Sequence, residues 1–303
     1  MNQNKTIPNS WLTLTVLFIL LVTLSVIYRS MLANKYGENW EQMQKQNLPS
    51  ELSGQTNARQ AQLKAKNLHG KYIKLPILMY HHIGDVPKGA ENDQLRKGLT
   101  VSEKSFDEQM AWLKAAGYSS ITLKNLLDYT NGEFEMPKNP VIITLDDGYQ
   151  DAILNAPPIL KKYGFVGSFA IITQFSGIKY GTNRYATWQE IKQAKNQGME
   201  IVSHTQDHFD GIDPKYEDAF ILRNLSQSRQ DIKDNLGIDT QIIIYPFGHY
   251  NERYIKLAKE AGFLMGVAIN DHKTISLDKL FEVPRLRVNG NTTIVGFKKM
   301  LLE

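Results

Sequence analysis

Cysteine is absent from the 303 residues, which excludes a disulfide framework, a thiolate metal site, a cysteine nucleophile and a lipid-bearing cysteine. Any metal must therefore be held by histidine, aspartate or glutamate. Charge of one sign is scarce as well. The 35 Lys and Arg nearly balance 31 Asp and Glu, and no basic run is interleaved with aromatics, so a nucleic-acid partner is excluded. Near the N-terminus it is charge itself that is missing. Trp11 to Tyr28, "WLTLTVLFILLVTLSVIY", contains no charged residue, is apolar on every side and has aromatics at both ends. Its length approaches the roughly 20 residues that cross a bilayer as a helix. No small-x-small cleavage site closes the run. It reads as an uncleaved signal anchor over 11–28, with 1–10 as a short cytoplasmic lead and the rest of the chain outside the cytoplasm at the cell membrane. Arg29 and Lys35 follow the span and oppose that orientation on the charge rule.

Residues 29–71 turn polar, rich in Gln, Asn, Lys and Glu, and read as a stalk or linker broken near Pro49 and Gly54. From there a single domain, 72–303, alternates short apolar runs with amphipathic segments. "PILMYHHI" (76–83) predicts a strand, followed by a helix opened by a capping box over Ser105 to Glu108 and stopped at Gly117. "PVIITLDD" predicts a strand. The prolines of "APPILKKYG" fit the first turn of a helix that ends at Gly164. "SFAII", "MEIVSHT", "TQIIIYP", "LMGVAI" and "EVPRLRV" predict further strands. Between and after them come helices opened by Thr187 and Glu190, over about 217–236, at "NERYIKLAKEAG" and at "TTIVGFKKMLL". Strands that are apolar on both faces and alternate with helices imply a parallel sheet covered on both sides. Six or seven such units predict an α/β barrel with its active groups at the carboxyl ends of the strands.

Two of those ends carry chemistry. "TLDDG" places Asp146 and Asp147 at the end of an apolar strand, where Gly148 lets the backbone turn. Side chains alternate along a strand, so the two carboxylates point different ways. "VSHTQDH" places His204 at a second strand tip and His208 four residues on. Asp147, His204 and His208 supply one carboxylate and two imidazoles for a divalent cation, with open positions left for water and substrate. Asp146 is then free to act as the base.

These residues resemble the polysaccharide deacetylases of the NodB-homology type, carbohydrate esterase family 4. "TLDDG" and "HTQDH" match the family's first two motifs. With "LMYHHI" ahead of them and "YPFG" after them, the order is similar to the branch that deacetylates poly-β-1,6-N-acetylglucosamine. The resemblance implies a distorted (β/α) barrel and a divalent metal, usually zinc, that activates water to release acetate from N-acetylglucosamine. It gives Asp146 as base, Asp147, His204 and His208 as metal ligands, His81 as acid and the backbone N–H of Phe247 as oxyanion donor. The family's third motif has an arginine where this chain has Ile244, so the group that orients the base must come from elsewhere. Arg285 and Arg287 in "VPRLRV" are the two candidates.

The reading is thus a membrane-anchored hydrolase acting on an N-acetylglucosamine polymer, poly-β-1,6-N-acetylglucosamine by resemblance, with a polysaccharide synthase or export complex as an expected neighbour. Peptidoglycan or chitooligosaccharides are the alternative substrates. A catalytically silent sugar-binding scaffold is the alternative of another class, and the complete set of site residues argues against it.

Overall fold

The computed structural model describes residues 71–303. The expected anchor at 11–28 and nearly all of the expected linker lie outside the described residues. Among the described residues no helix is long and apolar enough to cross a membrane.

Eight strands form one sheet: β1 (Ile77–Tyr80), β2 (Ser119–Ile121), β3 (Pro140–Leu145), β4 (Ser168–Ile171), β5 (Glu200–Ser203), β6 (Ile242–Ile244), β7 (Met265–Val267) and β8 (Leu286–Arg287). Their order is β7-β6-β5-β4-β3-β1-β8, with β2 beside the first half of β3, and every pairing is parallel. The helices are α1 (Gln94–Leu99), α2 (Glu103–Ala115), α3 (Leu123–Asn131), α4 (Gln150–Lys162), α5 (Trp188–Asn196), α6 (Asp218–Leu236), α7 (Glu252–Glu260) and α8 (Ile294–Leu302). From β3 to β7 each strand returns to the next through one helix, the connection that parallel strands require.

Alternation along the strands builds two apolar layers. Leu78, Tyr80, Ile143, Leu145, Phe169 and Ile171 pack outward with the helices. Ile77, Ile142, Ala170, Val202, Ile244 and Val267 face the concave side. Leu123, Leu126 and Leu127 of α3 fill that concavity. The N–H groups of Leu123 and Lys124 donate to Glu200, the first residue of β5, so α3 plugs the arc at the amino ends of the strands. The opposite end is left for function.

The arc is a half-barrel, and among the described residues the ring expected from the sequence is joined through residues 283–288. Val283 bridges Val267 of β7, while Leu286 and Arg287 pair with Leu78 and Met79 of β1. The expected strand 282–288 is confined to Leu286–Arg287, since Pro284 has no N–H to give a ladder.

Other expectations are corrected in the same way. The strand 76–83 breaks after Tyr80, and His82–Ile83 pair instead with Thr100–Val101 in a separate sheet. Helix α2 starts at Glu103 and is capped by Ser102, whose Oγ accepts from the N–H of Ser105, so the box over Ser105 to Glu108 lies inside the helix. Pro157 and Pro158 are interior to α4, which opens at Gln150. Each proline forfeits one backbone bond, yet the helix holds because Ala152, Ile153, Ala156, Pro157 and Leu160 make one buried stripe. The capped start at Thr187 and Glu190 forms as expected, with both halves of the capping box in place.

Candidate metal centre

Four strand ends meet at the open end of the arc. Tyr80 and Leu145 are the last paired residues of β1 and β3, and the N–H of Asp146 donates to the carbonyl of Tyr80 at 2.9 Å. His81 and Asp146 therefore emerge side by side. His204 follows the end of β5, and "YPFG" follows the end of β6.

The chain turns at these ends through left-handed backbone that side chains rarely adopt. Asp147 (φ 71°), Thr205 (φ 68°), His208 (φ 61°) and Phe247 (φ 60°) all lie there, alongside Gly148 (φ 73°). Such conformations cost on the order of 1–2 kcal/mol each for a residue with a Cβ, and the surroundings hold them in place. The carbonyl of Gly148 accepts from Ala186 at 2.9 Å. Ser203 Oγ accepts from Thr205 N, Asn224 Oδ1 from Gln206 N, and Thr205 Oγ1 from His208 N.

The result is a convergence of three ligand atoms. His204 donates its Nδ1 proton to the carbonyl of Ile244 at 2.8 Å, which leaves Nε2 as the acceptor nitrogen. That Nε2 lies 3.1 Å from Asp147 Oδ1, and His208 Nε2 lies 3.4 Å from the same oxygen. One atom from each of the three residues falls within 4.8 Å of the others. Asp147 Oδ1 is buried and accepts no hydrogen bond. A buried carboxylate oxygen without a donor, facing two imidazole nitrogens, is what a divalent cation satisfies, and the N/O donor set suits zinc and its neighbours. Charge points the same way. Burial works against ionised Asp147, but the imidazoles of His204, His81 and His208 outweigh it and hold its pKa far below the usual carboxylate range. Burial would lower the pKa of His204, but the neighbouring Asp147 and Asp146 outweigh burial and raise it. Burial and the neighbouring His204 push His208 down to about 4, which keeps its Nε2 lone pair free for a metal.

Asp146 faces a different partner. Arg285 is fully buried and donates Nη1 to Asp146 Oδ1 at 2.7 Å and to Thr144 Oγ1 at 3.0 Å, while Nε donates to the carbonyl of Ala268 at 3.0 Å. Burial opposes the charge on Asp146, but the guanidinium overrides it and lowers the pKa. Of the two arginines considered from the sequence, Arg285 is the one in contact. Arg287, at the end of β8, makes no hydrogen bond to Asp146 among the described residues and bears on the site through its charge on His81. His81 is half-buried. Burial lowers its pKa, opposed by Asp147 and Asp146 and assisted by Arg285 and Arg287, so it lies within the field of both carboxylates.

Phe247 sits in the turn Pro246–Gly248. Its N–H makes no hydrogen bond among the described residues, and its ring stands edge-on to His208 at 4.7 Å and is 52% exposed. Two walls of the site were not visible from the sequence. Tyr149 is buried directly after the Asp147–Gly148 turn, and burial, then the charge of Asp147, raise its pKa. Tyr185 lies against it at 5.1 Å. The adjacency "DDGY" was a signal for Tyr149; nothing local marked Tyr185. His249 pairs with Asp210 at 3.0 Å, and Trp188 packs against the main core.

The model of a family described as polysaccharide deacetylase matches residues 134–266, which contain both carboxylates, both histidines and the Phe247 turn. Protein YxkH of Bacillus subtilis, which carries that family's name, is 31% identical over 221 residues, covering 72% of this chain and 73% of its own length. The poly-β-1,6-N-acetyl-D-glucosamine N-deacetylase of Staphylococcus aureus is 29% identical over 204 residues, 64% of this chain and 70% of its own. Among solved structures, the Streptococcus pyogenes deacetylase PplD in complex with acetate superposes with a TM-score of 0.68 at 26% identity, over 77% of this chain and all of that one. With the half-barrel, the convergent Asp147, His204 and His208, and these relatives in agreement, the chain belongs to the polysaccharide deacetylase family and carries its NodB-type domain.

Proposed function

We propose that this enzyme removes N-acetyl groups from an N-acetylglucosamine polymer at the cell surface, poly-β-1,6-N-acetylglucosamine being the favoured substrate, and that residues 11–28 hold it to the membrane with the domain outside. The observation that carries the chemistry is the convergence of Asp147 Oδ1, His204 Nε2 and His208 Nε2 beside the Asp146–Arg285 pair. The named activity of the Staphylococcus aureus relative supports the polymer.

Those three atoms would hold a divalent ion, zinc in this reading. When bound, it supplies Lewis acidity and makes water easier to deprotonate. The protein's own groups do the rest. Asp146, kept ionised and oriented by Arg285, takes a proton from the attacking water as its oxygen bonds to the acetyl carbon. The N–H of Phe247 is free to receive the negative charge that develops on the carbonyl oxygen. His81, next to Asp146, delivers a proton to the departing nitrogen, because an amine does not leave as an anion. The C–N bond breaks, and acetate and a free amine result.

The test is product analysis on defined N-acetylglucosamine oligomers. With β-1,6-linked oligomers, acetate is expected to appear together with an equal amount of new amine. Turnover confined to β-1,4-linked oligomers or peptidoglycan fragments would move the substrate. A purified protein that holds no metal and releases acetate from none of them would make it a silent scaffold.

A further inference from the structure

His82 follows the acid candidate directly, yet its side chain leads elsewhere. It is 1% exposed. Its Nδ1–H donates to both carboxylate oxygens of Asp151, at 3.0 and 2.9 Å, and its ring stacks on Tyr149 with centroids 3.6 Å apart and planes 20° apart. Asp151 lies in the first turn of α4, and Tyr149 is the residue before that helix, two positions beyond Asp147. His82 thus bolts the end of β1 to the turn that carries the metal ligand.

A third residue locks the bolt. Arg96 of α1, also buried, donates Nη2 to Asp151 Oδ2 at 2.9 Å, Nε to Thr100 Oγ1 at 3.1 Å and Nη1 to Asn183 Oδ1 at 2.5 Å. Thr100 is the residue paired with His82 across the short sheet. Asn183 belongs to the hairpin of Lys179–Tyr180 and Asn183–Arg184, which leads into Tyr185. Helix α1 is itself pressed in place. Gly290 donates its N–H to the carbonyl of Gly98 at 2.9 Å, and a Cβ there would meet the carbonyl oxygens of Lys97 and Thr100 at 2.2 and 2.3 Å.

Arg96 is buried and Asp151 half-buried, and charges so far withdrawn from water add little stability that packed apolar residues of similar volume would not supply. What the charges add is fixed geometry between pieces that carry site residues. We propose that His82, Asp151 and Arg96 form a positioning relay that fixes His81 relative to Asp147 and so sets proton delivery to the leaving nitrogen. The inference rests on the reading of His81 as the acid. A displacement of about 1 Å at a reacting group can lower a rate on the order of 10²-fold.

The test compares two leaving groups. An N-acetylglucosamine oligomer needs a proton at its departing nitrogen, whereas an aryl acetate releases a phenolate that needs none. His82→Phe keeps a stacked ring and loses the bond to Asp151; His82→Asn keeps a donor near the Nδ1 position and loses the ring. In metal-loaded full-length protein, His82→Phe is expected to lower kcat on the amide about 10- to 100-fold, with KM within about twofold, and to lower the amide-to-ester ratio of kcat by about tenfold or more. His82→Asn is expected to recover part of that ratio. Arg96→Gln added to His82→Phe is expected to cost little more, because residues of one network are not additive. Equal losses on amide and ester, or a wild-type amide rate in a folded variant, would make the network structural only and overturn the relay. A wild type that cleaves the ester but no N-acetylated oligomer overturns the reading of function, and the relay with it.

Discussion

Asp146→Asn is expected to retain its metal and lose turnover, by about 10²- to 10⁴-fold in kcat, the range spanned by a positioned general base. Asp147→Asn is expected to lose the metal itself. The two side chains are adjacent and both buried, but their oxygens face different partners. Asp146 Oδ1 is engaged by Arg285 at 2.7 Å, whereas Asp147 Oδ1 has no hydrogen-bond donor and lies between two Nε2 atoms. Elemental analysis of the purified variants, followed by single-turnover rates on the loaded forms, separates the roles. Equal loss of metal from both would make Asp146 a ligand and leave the water without its base.

Arg285→Met is expected to be the most damaging single change away from the ligands. Both members of the Arg285–Asp146 pair are buried, and removing one partner of such a pair strands the other charge at a cost of about 3–5 kcal/mol. Turnover is expected to fall with it, since Asp146 loses the group that orients it and keeps it ionised. The second substitution supplies the check. Adding Asp146→Asn to Arg285→Met removes the stranded charge, so a large part of the lost stability, read from denaturant midpoints, is expected to return while activity stays lost. Strictly additive stability losses would show that the guanidinium supports the fold through Ala268 and Thr144 alone.

The sequence disclosed the site more readily than the fold. Asp147, His204 and His208 were legible because each sits one or a few residues past an apolar run, where strand ends are easy to place, and because one carboxylate with two imidazoles has few other uses in such a position. The distinction between Arg285 and Arg287 was not legible. Residues two apart share a face of a regular strand, so alternation cannot choose between them; the choice is made where the chain passes Pro284 and only Leu286–Arg287 pair as strand, which leaves Arg285 ahead of the ladder and turned into the core. The same limit applies to His81 and His82. A strand running over 76–83 would set them on opposite faces, but β1 ends at Tyr80 and His82 pairs in another sheet. Helix α3 is absent from the expected elements although Leu123, Leu126 and Leu127 stand at helical spacing behind a capping box of Thr122 and Asn125, and its burial comes from its place at the amino ends of the strands. Caps were misjudged by three residues at α2 because Ser102 and Ser105 both offer a hydroxyl ahead of the same helix.

The segment 283–288 joins the two ends of the arc and also carries Arg285. Asp146 and Arg285 are 139 positions apart, whereas Asp147, His204 and His208 are all present once residue 208 has been made. A growing chain therefore carries its three candidate ligand side chains long before it carries the partner of its base. The ligand set and the partner of the base are thus separated in the order of synthesis, and the base is completed by the same segment that joins the arc.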